Sequence, residues 1–242
     1  MNFFKFKRIA SIWGSSEPQQ LIEIFNYLNT INFVGPTSES TLHSVVLHRK
    51  ICDGLKFSIS IIRVYEDPPS VFNYQCYLSL SSLELREAVD ALGIWEPTRI
   101  VIKSNPVGIF SVGLQHLKWN AEGGDVNPVW QVSSLAEYRH SADAWIRDFE
   151  HYFLPILNEI TDISTAISFC LKAMKYRKNL WVKSDGYGSA AFEIYTALLM
   201  IKNNRVLEAN ALLKNSLENT NNSALKYELQ SFLNWMNAQG LN

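Results

Sequence analysis

Residues Gly186-Tyr-Gly188-Ser-Ala-Ala191 spell G-x-G-x-x-A, a pattern that cradles a dinucleotide pyrophosphate when a strand precedes it and a helix follows. The same chemistry needs a second parallel strand that brings a carboxylate to the ribose, roughly 20 residues further on. Glu208 stands at about that distance, but "NNRVLEANALLKNSL" carries its apolar residues at helical spacing, so Glu208 belongs on a helix. The expectation is therefore a helix beginning near residue 188, capped by Ser184 or Asp185, with the glycines permitting a tight turn. Exposed N–H groups at such a helix start, with Arg177 and Lys183 near in sequence, could still hold an anion. No cofactor or metal is expected.

The second chemical candidate is "LKAMKYRKNLWVK", residues 171 to 183, the one basic concentration after the N-terminal stretch. Lys172, Lys175, Arg177, Lys178 and Lys183 alternate with Tyr176 and Trp181, and cations interleaved with stackable rings suit single-stranded nucleic acid. Lys175, Arg177, Lys178 and Lys183 are thus candidate anion or nucleic-acid contacts. The competing reading is a helix end, where cations complement the macrodipole and the following aromatic enters the core. A formal net charge of −1 favours that reading.

Five histidines invite a search for a catalytic or metal site. His43 and His48 are five apart in an expected strand and face opposite sides. His140 and His151 share one side of an expected helix, but eleven residues separate them by about 16 Å along its axis, too far for one metal. A solvated polar face, shared with the i,i+4 pair Asp143 and Arg147, accounts for both. The G-x-S-x-G elbow of serine hydrolases is absent, so an enzyme reading requires a site assembled from distant segments. Cys52, Cys76 and Cys170 are too few and too scattered for a disulfide framework or zinc site, and read as buried free thiols.

These residues need a scaffold, and 242 residues with 47% hydrophobic content can bury a sizeable core without covalent staples. The opening "MNFFKFKRIASIWG" lacks the apolar run of a signal peptide, and no segment approaches the roughly 20 apolar residues of a membrane span. A cytoplasmic protein is expected. "SSEPQQLIEIFNYLN" predicts a helix, with Pro18 in its first turn and Leu21, Phe25 and Leu28 on one face. "TLHSVVLHRKI" and "LKFSISIIRVY" predict a hairpin about Asp53-Gly54, with Leu55, Phe57, Ile59 and Ile61 pointing inward.

A third strand is expected in "VFNYQCYLSLS", then a helix with a capping box of Ser81 and Glu84. "TRIVIK" and "VGIFSVGLQHLKW" read as further strands. From Ser134 the period changes: Leu135, Tyr138, Ala142, Trp145, Ile146, Phe149 and Phe153 fall on one helical stripe, which Pro155 ends or kinks. "TDISTAISFCLKAM", capped by Asp162, and three more helices complete the chain. Strands and helices first, then helices only, predict an α+β fold: an antiparallel meandering sheet covered by helices in residues 1–130, followed by an all-helical part in residues 131–242.

"IYTALLMIKNNRVLEANALLKNSL" has the pattern of one tetratricopeptide-like hairpin, but without repetition it reads as part of a helical subdomain rather than a peptide-binding solenoid. The succession "LIEIFNYLNTINFVG", "LHSVVLHRKICDGLKFSISI" and "VWQVSSLAEYRHSADAWIRDFEHYFLPIL", with Trp130 and Trp145, resembles a bacterial family of uncharacterised α+β proteins with immunity-protein-like members. That resemblance covers residues 17 to 165 and implies a starting helix, a meandering antiparallel sheet and a long aromatic-bearing helix. It implies no catalytic residues. The leading functional expectation is a non-enzymatic protein that binds another protein, with large aromatics anchoring the interface. The alternatives are a nucleic-acid-associated accessory protein using residues 171–183, and an enzyme with a dispersed site.

Overall fold

The computed structural model describes residues 18–37, 40, 44–64, 73–82, 85, 109–122, 138–175 and 191–241. Among them lie eight helices and four strands: α1 (Pro18–Thr30), β1 (Ser44–Cys52), β2 (Leu55–Val64), β3 (Asn73–Ser81), β4 (Phe110–Gly113), α2 (Leu114–Glu122), α3 (Tyr138–Tyr152), α4 (Leu154–Glu159), α5 (Ile163–Lys175), α6 (Ala191–Lys202), α7 (Val206–Asn219) and α8 (Ser223–Ala238). The strands form one antiparallel sheet in the order β1-β2-β3-β4, and the fold is α+β.

The β1–β2 hairpin turns at Asp53-Gly54, where Gly54 takes φ 77, a left-handed conformation that costs glycine nothing sterically. Alternation then sets the faces: Leu55, Phe57, Ile59 and Ile61 of β2 are all buried, as are Cys76, Leu78 and Leu80 of β3. The outer edge of β1 is covered by the chain that follows α1. Val34 and His48 exchange backbone hydrogen bonds at 2.7 and 2.9 Å, and the Thr37 N–H donates to Val46 O at 2.9 Å. Gly35 makes this approach feasible, since a Cβ there would lie 2.8 Å from Leu47 Cγ and 3.0 Å from Val46 O.

Two local expectations shift. Ser82, not Ser81, caps here, its Oγ accepting from the Leu85 N–H at 3.3 Å, because Ser81 is still the last residue of β3. The expected strand "VGIFSVGLQHLKW" stops at Gly113, and Leu114–Glu122 is helical instead. Leu114 is fully buried, while Lys118 and Glu122, one and two turns on, form a polar edge with an i,i+4 ion pair at 3.7 Å. That helical spacing overrides the short apolar alternation read from the sequence. The strand expected at "TRIVIK" lies outside the described residues.

The chain divides into two compact units, Met1–Lys50 with Phe57–Ser79 and Val112–Asn158, and Ile51–Lys56 with Leu80–Ser111 and Glu159–Asn242. In the first, α3 brings the stripe read from the sequence to the interior: Ala142, Trp145 and Phe149 are buried, continued by Phe153 and Leu157. Trp145 stacks on Phe149 at 5.0 Å, and Phe149 meets Phe153 and the α1 residue Tyr27 edge-on at 5.4 and 5.7 Å. The helix breaks at Phe153, two residues before Pro155, whose nitrogen has no hydrogen to continue the ladder.

The second unit centres on α6, in which every residue from Phe192 to Met200 is buried. Apart from Glu193 and Thr196 this stretch is apolar on every side, which suits an interior helix, and here α5 and α7 flank it. Asp162 caps α5, accepting from the Thr165 N–H at 2.8 Å, as the sequence leads one to expect.

Candidate functional site

The connection between α6 and α7 is three residues long, with a left-handed Asn204 (φ 58) at its centre, a conformation that asparagine tolerates. Its geometry returns α7 alongside α6. Asn222 then caps α8, accepting from the Ala224 N–H at 2.9 Å and the Leu225 N–H at 3.3 Å. Between the end of α5, the start of α6, the end of α7 and the start of α8 lies a cleft of about 490 Å³, within the size range of small ligand pockets.

Leu171, Met174, Leu212, Leu225 and Leu229 make its apolar surface. Asn215, Ser216, Asn219 and Thr220, from the last turn of α7 and the residue after it, supply amides and hydroxyls. Asn219 Nδ2 donates to the Asn215 carbonyl at 2.8 Å and to Asn215 Oδ1 at 2.9 Å, which aligns the two amides on one side of the helix. Glu193, in the first turn of α6 and 8% exposed, is the only ionisable side chain among the described lining residues.

None of the candidate residues singled out in the sequence is among the described lining of the cleft. Ala191 of the G-x-G-x-x-A pattern begins α6, and Gly186 and Gly188 lie outside the described residues. Glu208 stands on α7, not on a strand, with its carboxylate held by Arg205 at 2.6 and 2.8 Å, so it is not placed as a ribose-binding acid. In the basic stretch, Lys172 pairs with Glu159, Lys175 is the last residue of α5, and Arg177, Lys178 and Lys183 lie outside the described residues.

One pair that the sequence reading missed has the atoms of a nucleophile and a base. Ser58 Oγ on β2 and His48 Nδ1 on β1 are 2.9 Å apart across the hairpin. Only the strand register could have revealed it, since the two are ten apart in sequence. Ser58 is 2% exposed, so a substrate carbonyl has no approach to its oxygen. The thiols are no better placed: burial raises the Cys170 thiol to about 12 and holds Cys76 far above the usual thiol range, so both stay protonated at neutral pH. Among the described residues no three histidine, cysteine or carboxylate side chains gather as metal ligands, and no helix is long and apolar enough to cross a membrane.

No protein-family model, curated protein or solved structure matches the chain.

Proposed function

We propose that the protein works by binding another protein, and that the cleft at the helix ends of α5–α8 receives a segment of the partner's chain. The observation that carries this reading is the make-up of the cleft: an apolar surface edged by two side-chain amides and two hydroxyls. Amides both donate and accept, as a peptide backbone does, and leucines and a methionine suit apolar side chains of a partner. A reaction centre needs convergent groups of shifted acidity. The side chains with shifted values, Tyr27, Cys76, Tyr152, Asp162, Cys170, Arg205 and Glu208, all lie off the described lining of the cleft. An immunity-type role, in which a toxic partner is neutralised by surface complementarity, is one form of this function.

The test is site-specific photocrosslinking of the full chain in its own host. A photoreactive residue at Asn219 or Leu225 should give one discrete protein adduct, and Leu212→Arg should abolish it while preserving the far-ultraviolet circular dichroism. A photoreactive residue at the exposed Val34, in the other unit, should give none of that adduct. Equal yields from all three positions, or adducts that disappear with nuclease, would refute the reading.

A further inference from the structure

Asn215 and Asn219 of α7 both line the cleft, and their mutual bonds fix which end of each amide faces a ligand. The Asn219 Nδ2 group donates to the Asn215 backbone carbonyl at 2.8 Å. A backbone carbonyl only accepts, so this nitrogen cannot trade places with the oxygen of its own amide. The same Nδ2 donates to Asn215 Oδ1 at 2.9 Å, which orients the second amide in turn. Asn215 Nδ2 and Asn219 Oδ1 are the atoms left over, and among the described residues no other hydrogen bond reaches either. The pair therefore offers one donor and, a helical turn later, one acceptor.

Each residue of an extended chain carries the complementary set, a C=O and an N–H that face the same neighbour. In a helical segment those groups are already bonded along the helix. From this match of partial charges we infer that the cleft takes a partner segment in extended conformation and reads the backbone of one of its residues. The C=O of that residue accepts from Asn215 Nδ2, and its N–H donates to Asn219 Oδ1. A chain passes from N–H to C=O within each residue, so the segment runs from Asn219 toward Asn215, antiparallel to α7. Its side chains alternate between two faces, and those on one face meet Leu212, Leu225 and Leu229. This rests on the cleft being the binding site and adds the conformation and direction of the segment it takes.

The probe is one peptide selected from a random dodecapeptide library on the full chain, with each backbone amide replaced in turn by an ester. The ester removes the N–H and keeps the shape. Fluorescence anisotropy should find an ester position that weakens binding by about tenfold, the scale of a lost hydrogen bond that leaves its acceptor unpaired. Asn219→Leu should bind that ester and its parent amide equally, whereas Asn219→Asp, which keeps an acceptor, should retain the difference. A benzophenone at the peptide's carboxyl-terminal end should crosslink near Leu212, and one at its amino-terminal end near Thr220, as read by tryptic mass spectrometry.

A peptide indifferent to every ester, or an ester effect that persists undiminished in Asn219→Leu, would overturn the inference. So would binding that depends on an Asn or Gln side chain of the peptide in place of its backbone, or a reversed crosslinking pattern. If such peptides still lose binding on Leu212→Arg, the cleft stands as the binding site and only the backbone reading fails. Failure to enrich any peptide over a blank surface would overturn both.

Discussion

Lys118 of α2 and Asp148 of α3 form a two-pronged contact: the ammonium lies 2.8 Å from Oδ1 and 3.1 Å from Oδ2, with the two side chains only 20% and 12% exposed. Glu122 approaches the same ammonium at 3.7 Å and accepts the Tyr152 hydroxyl at 2.9 Å. This polar group links α2 to α3. Partly buried pairs fall between exposed pairs, worth up to about 1 kcal/mol, and buried ones, whose breaking costs about 3–5 kcal/mol. Lys118→Met is therefore expected to destabilise by about 2 kcal/mol, lowering Tm by roughly 4–8 °C for a chain of this length. Thermal unfolding of the two single variants and the Lys118→Met/Asp148→Asn double variant would measure the coupling; additive effects would show that the pair contributes nothing as a pair.

Trp145 is 1% exposed and stacks on Phe149, while its indole N–H has no hydrogen-bond partner. Trp145→Ala should cost about 3–5 kcal/mol in urea unfolding, the range for emptying an aromatic core position. Trp145→Phe should cost much less, because it keeps a ring in the stack and removes an unsatisfied donor. Equal losses for the two variants would contradict this account of the core.

Alkali should unfold the protein through groups that resist ionisation. Tyr27 and Tyr152 are raised to about 12 from an ordinary 10.0, chiefly by burial, and Cys170 to about 12 from 9.0 for the same reason. Above pH 9 the unfolded chain releases these protons first, so the folded state holds more of them and stability falls as pH rises from 9 toward 12. Denaturation midpoints across that interval should decline steadily, and less steeply in Cys170→Ala. Native-state thiol titration at pH 8 should find the half-buried Cys52 more reactive than Cys76 or Cys170.

Asp162 has the opposite sign. The Thr165 N–H and hydroxyl hold its carboxyl below the ordinary 3.8, so its contribution is present above that value and lost as the pH falls through its lowered pKa. Asp162→Ala should cost about 1 kcal/mol at pH 7 by loss of the cap. Asp162→Asn, which keeps the acceptor oxygen, should cost less at pH 7 and flatten the acid limb of the stability profile. An Asn variant with an unchanged acid limb would show that another group controls it.

A fluorophosphonate probe should leave Ser58 unlabelled in the native protein, despite the neighbouring His48, because the hydroxyl is buried. Tryptic mass spectrometry of the treated chain checks this directly. Labelling at Ser58 that is lost in His48→Ala would reopen the enzyme reading.

The amino-acid sequence by itself determined the features that depend on near neighbours. Asp53-Gly54 sets the hairpin because its turn needs positive φ. Period-two alternation turns Phe57 and Ile59 inward, helical spacing buries Trp145 and Phe149, and Asp162 caps the helix that follows it. Where two local patterns competed, tertiary contacts decided. Leu114–Glu122 alternates like a strand over a few residues, but burial of Leu114 and the pairing of Lys118 with Asp148 go with a helix. The cleft was illegible for a different reason. Its lining runs from Leu171 to Leu229, and none of these residues forms a motif with its sequence neighbours. Glu193 reads locally as an ordinary acidic residue in a first helical turn, and only the meeting of four helix ends makes it the one ionisable side chain among the described residues that line the cleft.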